Sequence, residues 1–213
     1  MTSNPQKSNP IVGVDLDNTL AMYDGLMHTV ALEMNLISTD IEPNKKLIRD
    51  AIRLLPKGEI EWQKLQGAVY GPRMHGALVA EGAVSFFQAC KRKASKVFVV
   101  SHKTQHANYD PTNTNLHKSA MKWMTDNRFF DPEGLSLARN EIYMEETRQA
   151  KLEQVARLGC EYFVDDLEEV FLEPGFPNNV QGILYHPDAK QTCPYGVQPA
   201  TSWNEISEYV FGS

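Results

Sequence analysis

Residues Ile11 to Leu20 read IVGVDLDNTL, and the rest of the chain is interpreted from them. Ile11, Val12, Gly13 and Val14 make a short apolar run that suits a strand buried on both faces. The run leads straight into Asp15 and Asp17, with one residue between the two carboxylates. Like charges this close repel one another, so the end of the strand faces either open solvent or a cation.

Four more apolar runs read as strands: Val97–Val100, Glu141–Met144, Tyr162–Val164 and Gly182–Tyr185. Helical patterns lie between them. Ala83 to Lys93 ends in three cations, which the helix dipole favours in a last turn. Leu116, Ala120, Trp123 and Met124 recur at helical spacing, as do Leu152, Val155 and Ala156, with Gly159 placed to cap the latter helix. Residues 202–211, SWNEISEYVF, read as a closing helix with Ser202 as its N-cap. Strands alternating with helices predict an α/β fold, a doubly wound, Rossmann-like parallel sheet.

The interval from Ala21 to Ala80 is too long for a simple crossover. Leu47, Ile48, Ala51, Ile52 and Leu55 form an apolar stripe, and residues 58–71 offer a second helix. The expected organisation is a core made of residues 1–20 and 81–213, with a small helical cap inserted over 21–80.

Composition narrows the function. The chain has 213 residues, 42% hydrophobic and 23% charged, a balance typical of a globular domain. A net charge of -6 argues against a general nucleic-acid-binding surface. The polar start MTSNPQKSNP lacks the apolar centre of a signal peptide, and no run is long enough to span a bilayer, so no membrane association is expected and the expected location is cytoplasmic. Cys90, Cys160 and Cys193 are far apart, which fits reduced thiols with structural roles and speaks against zinc.

In open parallel sheets, ligands bind beyond the carboxyl ends of the strands. Asp15, Asp17 and Thr19 follow the first strand, Ser101 the second, and Asp165 and Asp166 the fourth. Lys151 sits near the start of the helix between the third and fourth strands, where a cation is mildly unfavourable and so needs a reason.

These positions resemble the haloacid dehalogenase (HAD) superfamily, whose members carry four short motifs in this order. D-x-D-x-T matches Asp15, Asp17 and Thr19; the Ser or Thr after a strand matches Ser101; the cation matches Lys151, with Arg148 as a rival; the acidic pair matches Asp165 and Asp166. The resemblance implies a phosphatase with Asp15 as nucleophile and metal ligand, and with Asp17 as acid–base group and backbone metal ligand. It makes Asp166 a direct metal ligand supported by Asp165, and gives Thr19, Ser101 and Lys151 to the substrate phosphate. Oxygen ligands with room for water and phosphate suit Mg²⁺. The implied substrate is a small phosphorylated metabolite, hydrolysed through an aspartyl-phosphate. A phosphomutase would use the same residues. A dehalogenase would not need Asp17, and the fold could also serve as a non-catalytic binding module.

Other features have plainer readings. His102 and Lys103 contact substrate or lie on a loop surface. Lys45, Arg49 and Arg53 recur every four residues and read as a solvated helix face, or else as a substrate or partner contact. Thr104 to Asn115 is long and polar enough to be a specificity loop.

Overall fold

The computed structural model describes residues 9–187 and 193–212; most of the polar N-terminal stretch lies outside the described residues. The elements in chain order are β1 (Ile11–Val14), β2 (Ala21–Met22), α1 (Asp24–Glu33), α2 (Lys45–Arg53), α3 (Gly58–Tyr70), β3 (Leu78–Val79), α4 (Ala83–Arg92) and β4 (Lys96–His102). They continue with α5 (Leu116–Asp126), β5 (Ile142–Glu145), α6 (Arg148–Arg157), β6 (Tyr162–Asp165), α7 (Glu168–Phe171), β7 (Gln181–Tyr185), β8 (Gln198–Ala200) and α8 (Trp203–Phe211).

Six strands form one parallel sheet in the order β5-β4-β1-β6-β7-β8. The short continuous runs are apolar because both sheet faces are covered. Neighbouring residues Phe163 and Val164 of β6 point to opposite faces and fall in different core clusters. One cluster gathers Val12, Val14, Val99, Trp123 and Trp203; the other gathers Val100, Leu152, Val155, Cys160 and Phe163. Two helix caps behave as the sequence suggests. Ser202 Oγ accepts from the Glu205 N–H at 3.2 Å, and Gly159 takes a positive φ of 68° just past α6.

The chain lays β4 and β5 on one side of β1, then crosses to lay β6 and β7 on the other. The carboxyl ends of β4, β1 and β6 therefore stand side by side at the switch in strand order, where open sheets bind ligands. Val14 is level with Val99 on one side and Val164 on the other, so Asp15 emerges beside the ends of both neighbours.

Residues 21–80 hold α1, α2 and α3, which pack on one another, framed by β2 and β3 as a two-stranded antiparallel ribbon. The apolar stripe of α2 is narrower than its sequence implies. Ile48 and Ile52 are buried, whereas Leu47 and Leu55 remain 44% and 37% exposed. The strand expected over Glu141–Met144 starts one residue later, because Glu141 closes a 3₁₀ turn. The sixth strand, β8, is not among the five apolar runs of the sequence, and it carries Pro199. A proline is tolerated there because β8 lies at the sheet edge.

Gly13 is required by close approach. A Cβ on it would meet Phe163 Cδ2 at 2.8 Å and Cys160 Sγ at 3.1 Å, both in the packed core. Gly13→Ala is expected to lower stability by about 1–3 kcal/mol in urea unfolding. An unchanged midpoint would mean that Phe163 yields without cost.

Candidate functional site

The residues beyond β1 are held by a tight backbone turn. The Leu16 carbonyl accepts from both the Leu20 and Ala21 N–H groups, and the Asn18 N–H donates to the Ala21 carbonyl. Asn18 takes a φ of 57°, a left-handed conformation that asparagine tolerates better than most residues. The Asp15 N–H donates to the Val164 carbonyl at 2.8 Å, so β6 fixes where Asp15 leaves the sheet.

Carboxylate oxygens of Asp15, Asp165 and Asp166 come within 4.8 Å of one another. Lys151, 2% exposed, reaches into this cluster from the first turns of α6. Its Nζ lies 2.6 Å from Asp15 Oδ1 and 2.6 Å from Asp165 Oδ2, and 5.3 Å from the centre of the Phe163 ring. Asp165 has its other oxygen engaged too, accepting from the Leu167 N–H at 3.0 Å. Asp166 instead lines the adjoining cavity, so it is the member of the acidic pair presented to a ligand.

Crowding and burial perturb these groups. Burial raises Asp15 to about 7; Lys151 opposes the rise, and Asp165 and Asp17 add to it. Burial also pushes Asp166 well above the usual carboxylate range, and Lys45 only partly offsets it. Burial would lower Lys151, but the charges of Asp15 and Asp165 overcome it and raise the amine, which stays protonated. All-oxygen donors with strained, like-charged neighbours are suited to a hard divalent cation.

The cavity measures about 100 Å³ and is lined by Asp15, Asp17, Asp166, Ser101, Lys45, Arg148, Lys151 and their neighbours. That is room for about three water volumes, enough for small polar groups rather than a bulky apolar ligand. Ser101 Oγ is buried without a hydrogen-bond partner among the described residues, as is Thr19 Oγ1. Such groups are costly unless something completes them. Ser101 lines the cavity; Thr19 is fully buried and does not. Arg148, the alternative cation, also lines the cavity, but its Nη1 lies 2.6 Å from Glu173 Oε1.

Two residues depart from their plainer readings. Lys45, the first residue of α2, turns toward the cavity, where Asp166, Asp17 and Asp15, with Tyr70, raise its pKa against the opposing effect of burial. Asn44 caps α2 by accepting from the Lys46 and Leu47 N–H groups, and Asp24 Oδ1 accepts from the Lys45 N–H at 3.3 Å. Arg49 and Arg53 do not share its surroundings; they pair with Asp50 and Glu59 at 3.0 Å and 2.7 Å. The three cations are therefore not one solvated face. Lys103 is not on a loop surface: it is 4% exposed, and its Nζ lies 2.7 Å from Asp17 Oδ2. Nothing in the local spacing of Lys103 marks it, because its partners come from distant segments.

Ser101→Ala should remove a buried hydroxyl that has no protein partner. The expected result is a melting temperature equal to or above the parent's, with affinity for inorganic phosphate lowered by roughly tenfold. A clear loss of stability would reveal a structural bond for Ser101 and contradict its assignment to a ligand.

No family model matches the sequence, and no curated protein matches it. Solved structures do. A HAD-superfamily hydrolase, subfamily IA, from Geobacter sulfurreducens aligns with a TM-score of 0.56 at 14% identity, covering 99% of this chain and 100% of that one. The putative HAD-hydrolase YfnB from Bacillus subtilis, described as bound to magnesium, aligns with a TM-score of 0.56 at 10% identity over 95% and 98% of the two chains. A HAD family hydrolase from Deinococcus radiodurans R1, described with bound phosphate and sodium, reaches 0.54 at 15% identity over 94% of each chain. With its six-stranded parallel sheet and acidic cluster at the switch in strand order, this chain has the fold of the HAD-superfamily hydrolases.

Proposed function

We propose that the protein is a Mg²⁺-dependent hydrolase of a small phosphomonoester, acting through an aspartyl-phosphate on Asp15. The observation that carries this reading is the cavity itself. It joins the carboxylates of Asp15 and Asp166 to the ammonium of Lys151, the guanidinium of Arg148, the amine of Lys45 and the unpartnered hydroxyl of Ser101. A phosphoryl group with a divalent cation satisfies both signs of charge at once.

Asp15, Asp166 and the backbone carbonyl of Asp17 would hold Mg²⁺, with Asp165 orienting Lys151 from behind. The bound ion would supply charge neutralisation, letting an anionic nucleophile approach an anionic phosphoryl group. The ions carried by the Bacillus and Deinococcus neighbours are in keeping with this reading. Asp15 attacks phosphorus while Ser101 and Lys151 hold the equatorial oxygens. Asp17 passes a proton to the leaving oxygen, then accepts one from the water that cleaves the aspartyl-phosphate. We read residues 21–80 as a cap, with Lys45 its contribution to the substrate.

The reading is tested by phosphate release from a panel of phosphorylated metabolites. Turnover is expected with Mg²⁺, lost with a chelator and absent in Asp15→Asn; full activity in metal-free buffer would sink the metal assignment. The perturbed Asp15 adds a pH dependence. A carboxyl raised to about 7 is protonated below that pH and must lose its proton to bind a cation. Mg²⁺ affinity measured by calorimetry should therefore strengthen as pH rises from 6 to 8, and a flat profile would contradict it.

Lys45→Ala should lower kcat/KM by roughly 10–100-fold, chiefly through KM, as expected for a lost charge-assisted contact to substrate. Arg49→Ala and Arg53→Ala, each removing an exposed pair, should leave kinetics near the parent's. Equal effects from all three would put Lys45 back on a common solvated face.

A further inference from the structure

Lys103 is placed more firmly than any role in surface solvation or simple packing requires. Its N–H donates to the Glu145 carbonyl at 2.9 Å, and its carbonyl lies 2.6 Å from His117 Nε2. The backbone is thus clamped between the end of β5 and helix α5. From there the side chain runs inward and sets its ammonium 2.7 Å from Asp17 Oδ2 and 4.6 Å from the centre of the Tyr70 ring. The ion pair is close but not in hydrogen-bonding alignment. The other oxygen of the same carboxylate, Asp17 Oδ1, accepts from the Tyr23 hydroxyl at 2.8 Å. Tyr23 and Tyr70 meet edge to face with centroids 4.9 Å apart, closing the cluster. Burial and Asp17 both raise the Tyr23 phenol, which keeps its proton and remains a donor.

We propose that Lys103 is a positioning residue for Asp17, holding its carboxyl group in the orientation needed for proton transfer to the leaving oxygen. The inference rests on the phosphatase reading above. In the step concerned, the bond from Asp15 oxygen to phosphorus forms, the bond from phosphorus to the leaving oxygen breaks, and the Asp17 proton moves to that oxygen. Asp17 is left with a full negative charge, and the Lys103 ammonium already stands beside it, so no reorganisation is needed. Lys103 does not line the cavity, which separates it from the substrate-contacting cations. A buried ion pair is weak evidence for stability, since the cost of desolvating both charges offsets much of their attraction. A catalytic duty gives the contact beside Asp17 a role that stability alone does not.

The test is the dependence of Lys103→Met on the leaving group. The parameter kcat/KM covers only the steps up to leaving-group release. An unactivated alkyl phosphate needs the Asp17 proton in that step, whereas p-nitrophenyl phosphate leaves without one. Lys103→Met should lower kcat/KM by about 10²-fold for the alkyl ester and by less than about tenfold for p-nitrophenyl phosphate. KM and Mg²⁺ affinity should hold, and Lys103→Arg should recover part of the loss. Equal losses on both esters would reduce Lys103 to a structural role, and a change confined to KM would make it a substrate contact; either result overturns the inference. If Lys103→Met does not fold, Lys103→Gln removes the charge while keeping a polar side chain, and an unchanged ratio of the two esters in that variant overturns the inference as well. If the parent enzyme releases no phosphate from any ester, it is the phosphatase reading that fails, and the two failures remain distinct.

Discussion

The site depends on one buried amine. Lys151 stands between Asp15 and Asp165 at 2.6 Å from each, buried with both of them. Burying Asp15 and Asp165 at one sheet edge, with Asp166 close by, costs far more than an exposed acidic cluster would, and a lysine with two short contacts offsets part of that cost. Removing the amine would leave carboxylates uncompensated in the interior, a defect worth about 3–5 kcal/mol in buried pairs. The sheet topology makes this contact possible. Asp15 and Asp165 come from neighbouring parallel strands, and the helix leading into β6 carries Lys151 over their ends.

Around that triad, charge is left deliberately unsatisfied on the cavity side. Asp15 and Asp166 are pushed toward protonation, while Lys45 and Lys151 are held protonated by the same negative neighbours. Ser101, which lines the cavity, keeps a hydroxyl without a partner among the described residues. A cavity so divided attracts a cation to its acidic wall and an anion to its basic one. The segment from α1 to α3 contributes Lys45, the first residue of α2, to the cavity lining.

Much of this was legible because the signals were local. A β-branched run ending in Asp15 and Asp17 announces a buried strand with charges at its tip, and the same logic locates Ser101 and Asp165. The strands and most helix limits follow from apolar runs and from capping residues such as Ser202 and Gly159. What escaped depends on contacts between distant residues. The β8 strand is signalled only by its edge pairing with β7, which excuses Pro199. Lys45, Arg49 and Arg53 share a helical spacing, yet Lys45 begins α2, and a side chain there leans past the helix start toward the site. Lys103 sits in a polar stretch that reads as a loop, and only the convergence of Asp17, Tyr23, Tyr70 and His117 turns it inward.

The central claim is that Asp15 becomes covalently phosphorylated, and it is tested most directly by acid-quenching the enzyme during turnover and mapping phosphate by peptide mass spectrometry. The account predicts an acid-stable, hydroxylamine-sensitive phosphoryl adduct on the peptide containing Asp15, absent in Asp15→Asn. Rapid phosphate release with no adduct at any quench time, or with the adduct on another residue, would contradict it.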